Sequence, residues 1–257
     1  MTNRLKYALL IFLAMGTVSG RAQSDLEKGL TYFNKRAEKH QGLKVDSANI
    51  NKAIGHFEKA LTTDNEKATA YLLQSLYYKA AFVLADKKQQ KITWYKGKVI
   101  GQQAIEKYPE NPSVLLWFIA NYSKYGEAQG VIASAKNGLA DKVKMYAERL
   151  LELDSEYSSG AAYKLIGVIN YKVPKIPMVA SWPSRDTAEE YLKKALKTDA
   201  RSISNLYYFA EFLVEEKRDA EAKVVLDKLL KLSPRESHYI EDLYDLSMAK
   251  KLLQKLK

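Results

Sequence analysis

The chain has 257 residues, of which 47% are apolar and 28% charged, and it contains no cysteine. That length supports one or two domains with a sizeable core, and the missing cysteine excludes a disulfide scaffold, thiolate zinc sites and thiol nucleophiles. Twelve Gly and six Pro are too few for a loop-rich or disordered chain.

The first 22 residues read as a signal peptide. Arg4 and Lys6 precede an apolar run from Tyr7 to Val18, and small residues Gly16, Ser19, Gly20 and Ala22 follow. The run has the length of a signal-peptide core and falls short of the roughly 20 residues that span a bilayer. Cleavage is expected after Gly20 or after Ala22, and residues 23–257 are read as the mature domain, without a transmembrane span. An uncleaved anchor is the alternative, and lipid attachment is excluded because it needs a cysteine. The expected location is secreted and periplasmic. The mature chain holds 38 basic and 30 acidic residues, a net charge of +8. The cations are mostly Lys interspersed with Glu, the pattern of solvated helix faces rather than of a nucleic-acid site. The surplus favours weak attraction to anionic surfaces or partners.

From there the chain reads as helices in pairs. SDLEKGLTYFNKRAEKH opens with Ser24 and Glu27 at capping-box spacing. Its partner carries Ala53, Phe57, Ala60, Leu61 and Asp64, at offsets 0, +4, +7, +8 and +11. The second pair joins NEKATAYLLQSLYYKAAFVLA to Gly97, Gly101, Ala104, Ile105 and Tyr108 at the same offsets. The third joins NPSVLLWFIANYSKY to Val143, Ala147, Leu150, Leu151 and Asp154. The fourth joins SSGAAYKLIGVINYK to Ala188, Leu192, Ala195, Leu196 and Asp199. The fifth joins SISNLYYFAEFLVEEK to Ala222, Leu226, Leu229, Leu230 and Ser233. Each set makes one small or apolar helical stripe with a stop signal behind it. A last helix from about Ser237 to Leu256 has no partner and suits a capping role. No strand alternation is present. The expected architecture is an all-α, right-handed solenoid of about five helical hairpins plus a C-terminal capping helix, whose concave surface is lined by the first helix of each pair.

These features resemble the tetratricopeptide-repeat (TPR) family. Ala210, Ala222, Leu226, Leu229 and Pro234 fill the family's small, Ala, large, Ala and Pro slots without a gap, and Ser75 and Tyr78 fit the second hairpin. The Ser75–Gly97 and Gly167–Ala188 intervals are about ten and nine residues longer than the family's spacing. The stretch GAAYKLIGVINYKVPKIPMVASWPSRDTAEEYLKKALKTD is also similar to the T-component family of TRAP transporters and to regulator-of-microtubule-dynamics proteins. The resemblance implies binding of a ligand or partner protein rather than catalysis. The chain lacks the lipid-attachment cysteine usual in T components.

Catalytic chemistry is sparse. His40, His56 and His238 form no HExxH or i, i+4 metal pair, and neither a GxSxG elbow nor a P-loop occurs. His56, beside Phe57, reads as a partly buried packing residue. No catalytic residue, metal site or cofactor is expected, and the chain is read as a non-enzyme. The candidate contact residues are Tyr78, Tyr122, Tyr171, Lys175 and Trp182. The three tyrosines fall near the end of the first helix in three successive hairpins, where they either pack the repeat or form an aromatic ladder in the groove. Lys175 and Trp182 belong to the Pro-rich connector Lys172–Arg185, which either tucks onto neighbouring helices or stands out as a partner-binding lip. Function is expected to be that of a scaffold or adaptor for a peptide or protein on the concave surface, with no nucleic acid. The alternative is a solute binder holding a small apolar ligand for a transport system.

Overall fold

The structure is a computed structural model that describes residues 23–63, 65–174 and 182–256. The signal-peptide segment, Asp64, and the connector from Lys175 to Ser181 lie outside the described residues. Among the described residues there are α-helices and short turns but no strand ladder; Gln41 and Lys44 make one isolated bridge.

The hairpins follow the order read from the sequence. Helices α1 (Asp25–Asn34) and α2 (Ala48–Ala60) form the first pair, and α3 (Glu66–Tyr78) and α4 (Lys87–Lys107) the second. Helix α5 (Pro112–Gln129) pairs with α7 (Leu139–Leu153), α8 (Tyr157–Lys172) with α9 (Arg185–Thr198), and α10 (Ile203–Glu215) with α11 (Asp219–Leu229). Helix α12 (Tyr239–Lys255) is the unpaired last element. Each first helix packs on its partner and on the second helix of the preceding pair. This is the right-handed stacking of a solenoid.

The caps are local and sequence-encoded. Ser24 and Glu27 form the expected capping box. Asn65, Asn111, Ser184 and Ser202 each accept the backbone N–H three residues on, which starts α3, α5, α9 and α10. Such a cap is worth about 1 kcal/mol. The stripe residues at offsets 0, +4 and +7 are buried in all five second helices. Those at +8 are only partly buried, so the stripe is one residue narrower than its sequence pattern. Gly101 on a stripe, and Gly167 on the first helix facing one, show why small residues belong at these crossings. A Cβ on Gly101 would lie 2.7 Å from the Phe118 ring and 3.2 Å from its Cα, and one on Gly167 would lie 2.7 Å from Leu192.

Two features were not legible as drawn. The extra length between Ser75 and Gly97 is mostly helix: a π-helical turn, Lys79–Val83, extends α3, and α4 begins at Lys87. The third hairpin also contains a short additional helix, α6 (Val131–Lys136), between its two members.

Helix α12 does more than cap. Its second half packs Leu246 and Ala249 into the cluster of Ile203, Leu206, Leu226 and Leu229. Its first half reaches back to the first hairpin. Ile240, fully buried, sits in the core with Phe33, Phe57 and Tyr78. The coil is therefore joined end to end by its last helix.

Candidate functional site

One arginine makes the join, and a second braces the start of α12. Arg36, at the end of α1, is buried, and its guanidinium lies 4.3 Å from the Phe33 ring centre and 5.2 Å from that of Tyr78. It donates to the Ser237 carbonyl and, at 2.9 Å, to Glu241 Oε1. Arg235 grips the buried Asp242 with two side-chain hydrogen bonds, at 2.8 and 2.7 Å, and adds its backbone N–H at 2.9 Å. The His40 ring lies tilted against Tyr239, with ring centres 4.8 Å apart, and Phe82 meets Tyr244 edge-on at 5.8 Å.

The first helices turn polar and aromatic side chains toward this segment. Tyr77 comes from α3, Lys124 from α5, Lys164 from α8 and Tyr208 from α10, and they face Glu241, Tyr244 and Asp245 of α12. Tyr77, Lys124, Lys164, Tyr208 and Asp245 each keep partial solvent exposure, yet burial is the largest influence on their ionisation. They share one inward-facing surface beside α12 that solvent still partly reaches.

The electrostatics of that surface are coupled. Burial pushes the Asp245 carboxyl up to about 6, although Lys164 and a hydrogen bond with Ser204 pull the other way. Burial lowers Lys164 by more than Asp245 restores; its Nζ donates to Ser204 Oγ at 2.9 Å and lies 5.8 Å from the Tyr208 ring centre. Burial and then Asp245 drive the Tyr208 phenol well up. Burial drives Tyr77 up, and its ring leans on Trp117 at 5.5 Å. Burial pulls Lys124 down, but Tyr77 and its 2.7 Å partner Glu127 together hold it above the ordinary lysine range. Phenols and ammonium groups at partly dehydrated positions can make strong charge-assisted contacts.

The sequence-derived residues fall in different places. Tyr78 is buried, its Oη reaching the Arg36 carbonyl at 3.4 Å. Tyr171 is buried and donates to Glu211 Oε2 at 2.7 Å. Tyr122 stacks on Phe118 at 5.6 Å and lines a concavity of about 320 Å³ between α4, α5 and α7. The three do not form one ladder. Trp182 is partly buried, with Lys144 Nζ 6.0 Å from its ring centre. Lys175 lies outside the described residues. The residues that line the interior escaped the sequence reading, although the Tyr77–Tyr78 and Tyr207–Tyr208 dyads carried a signal. Neighbours on a helix diverge by about 100°, so one ring of each dyad packs and the other faces inward. His56 is partly buried as expected, its Nδ1 2.7 Å from Asp25 Oδ1 and its ring stacked on Tyr32. A second concavity of about 320 Å³ is lined by Asp199, Arg201, Lys231 and Arg235. Both concavities have mixed polar and apolar walls.

The family model described as "Regulator of microtubule dynamics protein 1-3" matches residues 73–257. No curated protein matches the chain in sequence. Among solved structures, the chain is similar to TTC0263, a thermophilic TPR protein of Thermus thermophilus. The identity is 15%, over 90% of this chain and 97% of that one, with a TM-score of 0.63. It also matches the TPR2AB domain of yeast Sti1 in its pHSP90 complex at 13% identity, covering 90% of this chain and 96% of that one, with a TM-score of 0.35. Yeast Tom70 matches at 15% identity, covering 94% of this chain and 66% of that one, with a TM-score of 0.34. The likeness to TTC0263 shows the TPR fold.

Proposed function

The chain belongs to the regulator of microtubule dynamics protein 1-3 family, and on that premise we propose that it is an exported scaffold that binds a protein or peptide partner through the interior of its closed coil. The observation that carries this reading is the convergence of Tyr77, Lys124, Lys164 and Tyr208, from four separate helices, on the partly buried surface that faces α12. Packing alone gives no reason to hold two lysines there at a cost in hydration. A partner segment carrying carboxylates and apolar side chains meets ammonium groups and phenols on that surface. The reading is of a binder with no catalytic step of its own. The test is affinity capture with the full chain as bait, compared with the Lys124→Ala/Lys164→Ala variant and quantified by mass spectrometry. A partner held by the wild type and lost from the variant supports the reading; undiminished capture by the variant contradicts it.

Export rests on Arg4 and Lys6 ahead of the apolar run Tyr7–Val18 and on the small residues behind it. The proposed location is the periplasm. Intact-mass measurement of the protein from its native cells tests this: loss of the first 20–22 residues is expected, and an unprocessed N-terminus contradicts it.

A further inference from the structure

The positive charge of the chain is not spread evenly. Residues 87–149, from the start of α4 to near the end of α7, hold eleven basic and five acidic residues, a surplus of six out of the eight for residues 23–257. The same segment supplies four large apolar side chains that face solvent: Ile92 at 50% exposure, Tyr95 at 48%, Val99 at 39% and Met145 at 53%. Ile92, Tyr95 and Val99 are three and four residues apart, so they form one ridge along α4. Lys88 and Lys91 flank its start, and Lys98 sits beside its end. Among the described residues no carboxylate pairs with Lys88, Lys91, Lys98 or Lys142. The Lys98 ammonium lies 5.8 Å from the centres of both Tyr95 and Tyr125, rings that themselves stand 5.1 Å apart. Directly beside them is the 320 Å³ concavity, walled by Lys98 and Lys142 with Ser134 of the additional helix α6 and Asn137 behind it.

We infer that this outer face of α4 and α7 docks on an anionic phospholipid surface, with Ile92, Tyr95 and Val99 entering the interface and the lysines meeting phosphate. Three observations select that occupant. The ridge combines exposed aliphatic side chains with unpaired cations, the composition of an interfacial helix rather than of a solvated one. The cations are lysines: Arg149, the one arginine of the segment, is occupied by Glu110 and Glu152. Of the four exposed apolar side chains only Tyr95 offers a ring to stack on a nucleic-acid base; Ile92, Val99 and Met145 offer none. And α4 and α7 are second helices, on the outside of the coil. An outward-curving face is poorly shaped to wrap a peptide and well placed to meet a deformable sheet. The concavity at the end of the ridge has room and charge for a phosphodiester head group, with Tyr122 and Tyr125 as its apolar walls.

The absence of cysteine makes a site-specific test clean. Val99→Cys on the ridge and Val224→Cys on the exposed face of α11 are each introduced into the full chain and labelled with a polarity-sensitive dye. Each is titrated with phosphatidylcholine vesicles and with vesicles containing 30 mol% phosphatidylglycerol, a proportion of about one lipid in three chosen to give a strongly anionic surface. The expected result is a blue shift at position 99 with anionic vesicles, none at 224, and loss of the shift in high salt. Charge reversal at Lys88, Lys91 and Lys98 lowers the apparent affinity by about tenfold or more. No shift at 99, equal shifts at both positions, an equal response to neutral vesicles, or indifference to the charge reversals each overturns the inference. Because residues 1–22 are common to all these proteins, insertion of that segment alone shifts neither dye selectively.

Discussion

Gly101 and Gly55 carry the same side chain on second helices, and the surroundings give them opposite roles. A Cβ at Gly101 meets Phe118 from ring to backbone, whereas a Cβ at Gly55 meets nothing within 4 Å. Gly101→Ala should therefore destabilise by about 1–3 kcal/mol through overpacking. Gly55→Ala should stabilise by up to about 1 kcal/mol, because alanine loses less backbone freedom in a helix. Urea melts of the two variants check both signs, and a Gly101→Ala protein as stable as wild type would show that α4 and α5 stand further apart. At the same scale, Asp245 is held with a pKa of about 6, above its ordinary value, chiefly by burial. The folded chain thus binds this proton more readily than the unfolded chain does. Its contribution to stability is greatest in acid and falls as pH rises from about 4 through 6. Lys164 and Arg235 oppose the shift and Asp242 adds to it. Asp245→Asn should remove this slope: the variant gains on wild type between pH 5 and pH 7.5. Paired melts at those two pH values decide it, and a difference that does not move with pH counts against burial of this carboxyl.

At the scale of elements, the second helices were the most legible part of the chain. Their small-and-apolar stripes must fit against two neighbours at once, and this leaves a periodic mark that survives in Ala53, Ala147, Ala188 and Ala222. The π-helical turn after Tyr78 and the helix α6 leave no such mark, because each depends on what surrounds it rather than on a repeat. Helix α12 was legible as a helix but not as a tie. Its Ile240 finds Phe33, and its Glu241 finds Arg36, across some 200 residues of chain, a distance over which no local pattern operates. The inward-facing residues were missed for a related reason: a Tyr or Lys one position off the packed stripe looks like any surface residue until the coil closes over it. Arg36 is the critical partner of the tie. Arg36→Ala leaves Glu241 without its cation and should cost about 1.5–3 kcal/mol, the range for a hydrogen bond to a charged group. Hydrogen exchange at residues 239–245 should accelerate in the variant while α9 and α11 stay protected. Uniform acceleration through the whole chain would mean that Arg36 supports the fold at large rather than the tie.

For the whole molecule, one geometry organises the rest. A solenoid of five hairpins has two ends and an open concave face. Here the last helix joins the ends, so the surface that the first helices present is partly covered by α12, while the basic, partly apolar faces of α4 and α7 remain outside. The two surfaces differ in chemistry, the inner one coupled and partly dehydrated, the outer one exposed, with Lys88, Lys91, Lys98 and Lys142 away from any carboxylate among the described residues, which leaves each free for a different occupant. All of this depends on the tie between hairpin one and α12 holding in solution. The direct measurement uses the cysteine-free background: His40→Cys and Tyr239→Cys are introduced together, where the native rings stand 4.8 Å apart, and treated with a short bis-maleimide. A closed coil predicts a cross-link within the monomer, seen as a single intact-mass adduct and as a linked peptide pair joining residues 40 and 239 after digestion. Two separately capped cysteines, with no link inside the monomer, would contradict closure and reopen the interior as an ordinary groove.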